Sequence, residues 1–187
     1  MAGHVRKCLE GAAGGPRSRV LLLRAQPAGA KMFWLDIAAK RESKLKELDA
    51  LLRRTWLECC GHLSEFQGAR AEPLSMNRRV DEVLPVTGSR IGYVYDFGSS
   101  TELQVSHLAV IEAAPVKGVR IVARNVAPSW PCDVCQQPAT MICVECANAG
   151  GGFCCETHAG KHECGEEMLL PVVNSPRMGV CGYTGEA

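Results

Sequence analysis

Four pairs of metal-binding side chains fall within a short stretch near the end of the chain: Cys132-x2-Cys135, Cys143-x2-Cys146, Cys155-x2-His158 and His162-x-Cys164. Thiolate and imidazole are zinc ligands. Zinc takes four of them in a tetrahedron, and a two-residue gap lets both members of a pair reach one ion from a tight turn. Eight donors therefore predict two ions. Pairs this short interleave, the first joining the third and the second joining the fourth. Cys154 beside Cys155, and Cys181 further on, are alternative donors for Cys155 and Cys164. The CxxH step to His158 favours Cys155. With four protein donors each, neither ion keeps an open position for water, so both read as structural zinc. The histidines and the interleaved order favour zinc over an iron site.

The rest of the composition agrees with metal rather than disulfides. The chain has 187 residues and 11 cysteines. Eight of those cysteines lie between Cys132 and Cys181. An odd number, clustered, with no apolar signal core at the N-terminus, argues against a disulfide framework. Apolar residues make up 47% and charged residues 22%, as in a globular protein. The longest aliphatic run, Val20 to Leu23, is far short of the roughly 20 residues of a membrane helix. The expectation is a cytoplasmic protein with no membrane contact. Net charge is only +1, but it is unevenly spread. Residues 1–130 carry 19 basic and 13 acidic side chains, and residues 131–187 carry 2 and 7.

The elements upstream read as an α+β domain over 17–127, with a mainly antiparallel sheet and one main helix. Residues 1–16 read as a flexible leader. Strands are expected at Arg17–Ala25, Phe33–Ala38, Arg90–Tyr95, Glu102–His107 and Val119–Arg124. Ser43 is a candidate N-cap. The apolar series Leu45, Leu48, Leu52, Trp56, Cys59 and Leu63 traces one face of a helix that Gly61 would stop. Asp49 and Arg53 are spaced for an i,i+4 ion pair. Residues 67–75 suit a loop or edge strand, and Arg78–Leu84 a short helix. Asp96 to Ser100 is turn chemistry, giving a hairpin with a loop of about five residues. Residues 128–131 read as a linker and 132–165 as a small two-zinc, cross-braced finger. The finger is poor in large apolar residues, holding mainly Val134, Met141, Ile142, Val144 and Phe153. Metal must supply most of its folding free energy. Residues 166–187 read as a tail that packs back on the finger or on the α+β domain.

Two resemblances add to this. The CxxC…CxxC…CxxH…HxC order is similar to cross-braced zinc fingers of the B-box and AN-one kinds, which mostly mediate protein contacts. The upstream part resembles the plasmid pRiA ORF-three-like family, also filed as the insertion-element passenger TnpR family. Its carriers are Phe33-Trp34-Leu35-Asp36-Ile37, the stretch Leu48 to Phe66 with Thr55-Trp56-Leu57-Glu58-Cys59-Cys60-Gly61-His62-Leu63-Ser64, and Tyr93-Val94-Tyr95-Asp96-Phe97-Gly98. The resemblance implies a small α+β domain of mobile-element company, without an established activity. Many members follow the last motif with an acid, a Trp and a His. Here Ser99, Ser100, Thr101, Glu102 and Leu103 stand instead. No nucleophilic Ser with an Arg cluster supports a resolvase.

Other residues have simpler readings. Cys59, Cys60 and His62 could be half of a metal site, but cysteines near a helix end are more often buried small apolar groups. Asp96 reads as a carboxylate bonded to backbone N–H groups of its turn, and His107 as a structural histidine. Arg6, Lys7, Arg17, Arg19, Arg24 and Lys31 could touch phosphates, which would make binding fall steeply with salt. The acidic finger would repel them. The favoured reading is a non-enzymatic zinc-binding protein that recognises another protein, with no small-molecule substrate. The first alternative is a nucleic-acid-associated protein using the basic N-terminal part. The second is a thiol enzyme using Cys154, Cys155 or Cys59.

Overall fold

The computed structural model describes residues 16–185. The expected leader lies almost wholly outside them. The chain is α+β and mainly antiparallel, and it forms two compact units. The first contains residues up to Arg53 and then Leu63–Asn125; the second contains Arg54–His62 and Val126–Ala187.

The first unit is built on a seven-stranded sheet of order β4-β3-β5-β6-β1-β2-β7. Its strands are β1 (Ser18–Pro27), β2 (Leu35–Lys40), β3 (Ser64–Gln67), β4 (Pro73–Leu74), β5 (Arg90–Tyr95), β6 (Thr101–Ala113) and β7 (Val119–Arg124). All neighbours run antiparallel. The aliphatic run Val20–Leu23 is buried throughout, because β1 lies inside the sheet between β2 and β6. In contrast, β5 alternates: Ile91, Tyr93 and Tyr95 are buried, and the residues between them are not. That is the period-2 signature of a strand with one covered face. Tyr95 pairs with Thr101, so the hairpin loop is Asp96 to Ser100. Asp96 takes a positive φ of 65°, and its carboxylate accepts the Gly98 N–H at 2.9 Å. Short polar side chains tolerate that conformation because they bond their own turn.

The main helix, α1 (Leu45–Leu52), buries Leu45, Leu48, Leu51 and Leu52. Its N-cap is Lys44 rather than Ser43. The Glu47 carboxylate reaches back to accept the Lys44 N–H at 2.9 Å, which satisfies one free donor of the first turn. Asp49 on the next turn accepts the Tyr93 hydroxyl at 2.7 Å and the Ser64 hydroxyl at 2.6 Å, fastening helix to sheet. The helix is shorter than the apolar series suggests. After Leu52 the hydrogen bonding widens to a π turn over Arg53–Leu57, and the helical structure stops there. Cys59 and Leu63 lie beyond it. The short helix α2 (Val80–Val83) buries Val80, with Leu84 behind it. His107 is buried and its Nδ1 lies 2.9 Å from the Leu84 carbonyl oxygen, a structural role.

The second unit holds a three-stranded sheet of order β10-β8-β9, formed by β8 (Met141–Cys143), β9 (Phe153–Cys154) and β10 (Leu169–Pro171). Short helical turns α3 (Val144–Ala147) and α4 (Glu156–Ala159) follow β8 and β9. Trp130 stacks on Phe153 with centroids 4.8 Å apart and planes 8° from parallel. Residues 128–131 thus take part in the unit. The tail from β10 onward also belongs to it. The Ser175 hydroxyl donates to the Trp56 carbonyl at 2.6 Å, and the buried Tyr183 hydroxyl donates to the Thr55 carbonyl at 3.3 Å. Among the described residues, no helix is long and apolar enough to cross a membrane.

Candidate metal centres

The second unit places each CxxC or CxxH step across a turn. Cys132 and Cys135 flank a tight turn in which the Gln136 N–H reaches the Cys132 carbonyl at 3.0 Å. Cys143 ends β8 and caps α3, which carries Cys146. Cys155 caps α4, which carries His158. His162 and Cys164 follow that helical turn.

These turns bring the donors together in two sets of four. Cys132, Cys135, Cys155 and His158 form one, and Cys143, Cys146, His162 and Cys164 the other; within each set all donor atoms lie within 4.8 Å of one another. A tetrahedron with Zn–S about 2.3 Å and Zn–N about 2.05 Å has S···S edges of about 3.8 Å and S···N edges of about 3.6 Å. In the first set, Cys135 and Cys155 sulfurs are 3.7 Å apart, and His158 Nδ1 is 3.6 Å from Cys132 and 3.3 Å from Cys155. In the second, Cys146 is 3.7 Å from Cys164 and 3.5 Å from His162 Nε2. These lengths are close to the edges of a zinc tetrahedron, so each set could hold a metal ion.

A third set was only half visible in the sequence. Cys59, Cys60 and His62 meet Cys181, again within 4.8 Å. Cys60 and Cys181 are exposed, so these cysteines are not buried apolar filler. Each of three Cys3His groups, rather than two, could hold a metal ion. Cys181 therefore stands with the third group, and Cys164 with the second. Cys154 stands in none of them. Its sulfur lies 3.7 Å from His162 Nδ1, on the side of the ring away from Cys146. An imidazole that binds metal through one nitrogen needs a partner for the other, and Cys154 supplies it.

The protonation chemistry suits a cation. The Cys132 thiol is brought down to about 6, first by the Cys155 backbone N–H and further by the amides of Val134 and Cys135. Burial pushes Cys143 up, but the Cys146 amide, the His162 ring and the Glu145 amide outweigh it and bring the thiol down to about 7. Cys155 is lowered by the His158 backbone N–H. By contrast, Cys164 shares a hydrogen bond with Cys146 and is pushed up to about 12. The first two sets thus each offer a thiol that loses its proton readily, Cys132 and Cys143, while Cys164 holds a proton that a divalent cation would displace.

Gly152 is a supporting residue that the ligand spacing did not reveal. It has a φ of +96°, and a Cβ there would lie 2.8 Å from Cys146 Cβ and 3.0 Å from the Cys143 carbonyl oxygen. The Asp133 carboxylate accepts its N–H at 2.6 Å and that of Phe153 at 3.0 Å. Gly152→Ala combines a disfavoured φ with a clash against the Cys143–Cys146 turn. It should cost about 2–4 kcal/mol. Zinc competition against a colorimetric chelator will show weaker retention of one ion, whereas unchanged retention would mean the turn is looser than described.

No protein-family model matches the chain, and no curated protein matches it. Among solved structures it is similar to a protein of unknown function, MM3350, from Methanosarcina mazei Go1. The two are 16% identical with a TM-score of 0.48, over 57% of this chain and 68% of that one.

Proposed function

We propose that the protein is a non-enzymatic zinc-binding protein whose C-terminal unit is a structurally stapled module for recognising another protein, working in the cytoplasm, where thiols stay reduced. The observation that carries this is the closure of the donor sets: Cys132, Cys135, Cys155 and His158, and Cys143, Cys146, His162 and Cys164, supply four protein ligands each. A catalytic zinc usually keeps one position for water or substrate; these sets fill all four. Beside them lies an open cleft of about 310 Å³ lined by Val134, Lys161 and Glu163 together with ligand residues. Val134 is 69% exposed, an apolar contact point of the kind that protein surfaces use. The resemblance of the part upstream of Cys132 to the pRiA ORF-three-like family belongs to the same proposal, resting on the motifs around Trp34, Trp56 and Tyr93.

The nucleic-acid alternative draws on basic residues of the N-terminal part. Arg24, one of them, donates Nε and Nη2 to Asp36 at 2.7 and 2.9 Å and is not a free phosphate contact. The discriminating experiment uses the zinc-loaded full chain as bait in nuclease-treated extract. A Val134→Glu bait and a bait stripped of metal serve as controls. A protein retained by the first bait and lost by both controls supports the reading. Retention that vanishes with nuclease, or a zinc-loaded protein with a selectively alkylated active thiol, overturns it.

A further inference from the structure

Residues 59–62 sit in a bend just after the π turn, and Cys181 lies 119 positions beyond His62 in sequence. The structure nevertheless gathers them. Cys60 Sγ is 3.7 Å from Cys59 Sγ, 3.8 Å from Cys181 Sγ and 2.9 Å from His62 Nε2, and His62 Nε2 is 3.2 Å from Cys181 Sγ. The sulfur edges match those of a zinc tetrahedron, and the two nitrogen edges are about 0.7 and about 0.4 Å shorter than its S···N edge, as for a hydrogen-bonded imidazole that a cation would draw outward. A meeting of three thiols and an imidazole from two distant segments needs a physical cause. Hydrogen bonding elsewhere in the tail brings the segments together, through Ser175 to Trp56 and Tyr183 to Thr55. It does not explain why all four donor atoms converge.

Two further observations point to a bound cation. The first is backbone conformation. Cys181 adopts a φ of +49°, which is uncommon and strained for a residue with a Cβ. Gly61, at +81°, bends the chain so that His62 returns toward Cys60. Both turns aim a donor at the same point. The second is charge. A zinc ion with three thiolates and one imidazole carries a net −1. Arg177 is fully buried, and its Nη2 donates to Cys59 Sγ at 3.5 Å. A Cys3His zinc centre is anionic and suits a guanidinium that donates to one of its sulfurs.

We propose that Cys59, Cys60, His62 and Cys181 form a third zinc site, a clasp that ties the segment after the π turn to the C-terminal tail. It shares the premise of zinc binding with the function proposed above, but it does not depend on the protein-recognition reading. Because Cys60 and Cys181 are exposed, this ion is the one that a mild chelator reaches first.

Native mass spectrometry of the zinc-loaded full chain should give three ions per chain. Cys181→Ser and Cys60→Ser should each give two, because the other two groups keep all their donors. If the substituted chains fail to fold, the wild-type protein still decides. Under native alkylation with N-ethylmaleimide, peptide mapping should find Cys60 and Cys181 protected while zinc is bound and modified after a mild chelator removes one ion. Two ions in the wild type, three ions in Cys181→Ser, or full alkylation of Cys60 and Cys181 in the loaded protein would each overturn the clasp. A disulfide among these cysteines would do so as well. Fewer than two ions in the wild type would instead count against the Cys132–Cys164 groups, so the two failures are distinguishable.

Discussion

Stripping the zinc-loaded protein with a strong chelator should unfold the second unit and leave the seven-stranded sheet of the first intact. The second unit has few large buried apolar side chains of its own: Trp56, Leu57, Ile142 and Tyr183, with several of its buried positions occupied by cysteines. Its sheet has three strands of two or three residues. A structural zinc contributes roughly 10–16 kcal/mol of apparent binding free energy at neutral pH. That is as large as the whole net stability of an ordinary domain, roughly 5–15 kcal/mol. Removing it also leaves the ligand thiols crowded against one another, with protons where the cation stood. The first unit has what the second lacks, a core running from Leu22, Leu23, Leu35 and Ile37 to Leu45, Leu48, Phe66, Tyr93 and Tyr95. Limited trypsin digestion will separate the two outcomes. Arg177 is inaccessible in the folded unit, so cleavage after it should be absent with zinc bound and rapid after chelation. Sites on the first unit should be cut at the same rate in both. Equal resistance at Arg177 with and without metal would mean that the unit folds on its own.

Arg24→Ala should destabilise the first unit by about 3–5 kcal/mol, a factor of roughly 150 to 5,000 in its unfolding equilibrium. Arg24 and Asp36 face each other across β1 and β2. The Asp36 side chain is fully buried, and Arg24 grips it with two hydrogen bonds at 2.7 and 2.9 Å. The guanidinium also lies 4.8 Å above the Trp34 ring. Truncating Arg24 leaves a carboxylate in a dry site with its cation gone, and a buried unpaired charge costs far more than the pair contributes. Arg24→Lys keeps the charge but loses the two-pronged geometry and should fall between. Urea denaturation followed by tryptophan fluorescence reads the shift in midpoint. A midpoint unchanged in Arg24→Ala would show that Asp36 finds water, contrary to the geometry of the pair.

Local patterns carried most of the fold. The alternation of Ile91, Tyr93 and Tyr95 marks a strand with the bounds observed, and Asp96 to Ser100 is the loop that its composition indicates. The spacing of Cys and His within 132–164 announces donors that the turns do bring into two groups. What sequence periodicity misread was the end of α1. The series Leu52, Trp56, Cys59, Leu63 continues a helical face on paper. In the structure the π turn adds a residue to the repeat, so that adjacent Trp56 and Leu57 are both buried. The segment that follows then joins the second unit, whereas the sequence reading kept it inside 17–127. Nothing local to Cys59, Cys60 and His62 discloses their fourth neighbour, because Cys181 reaches them only through the packing of the whole tail. Gly152 was equally silent. Its necessity comes from the approach of the Cys143–Cys146 turn, which spacing alone does not contain.

Zinc K-edge X-ray absorption on the purified full chain reads the coordination shell of the ions themselves. All three groups are Cys3His, so the averaged first shell should fit three sulfurs at about 2.3 Å and one nitrogen at about 2.0–2.1 Å, whichever groups are filled. A shell containing water or carboxylate oxygen would mean an open, reactive ion and would contradict the closed structural centres described here.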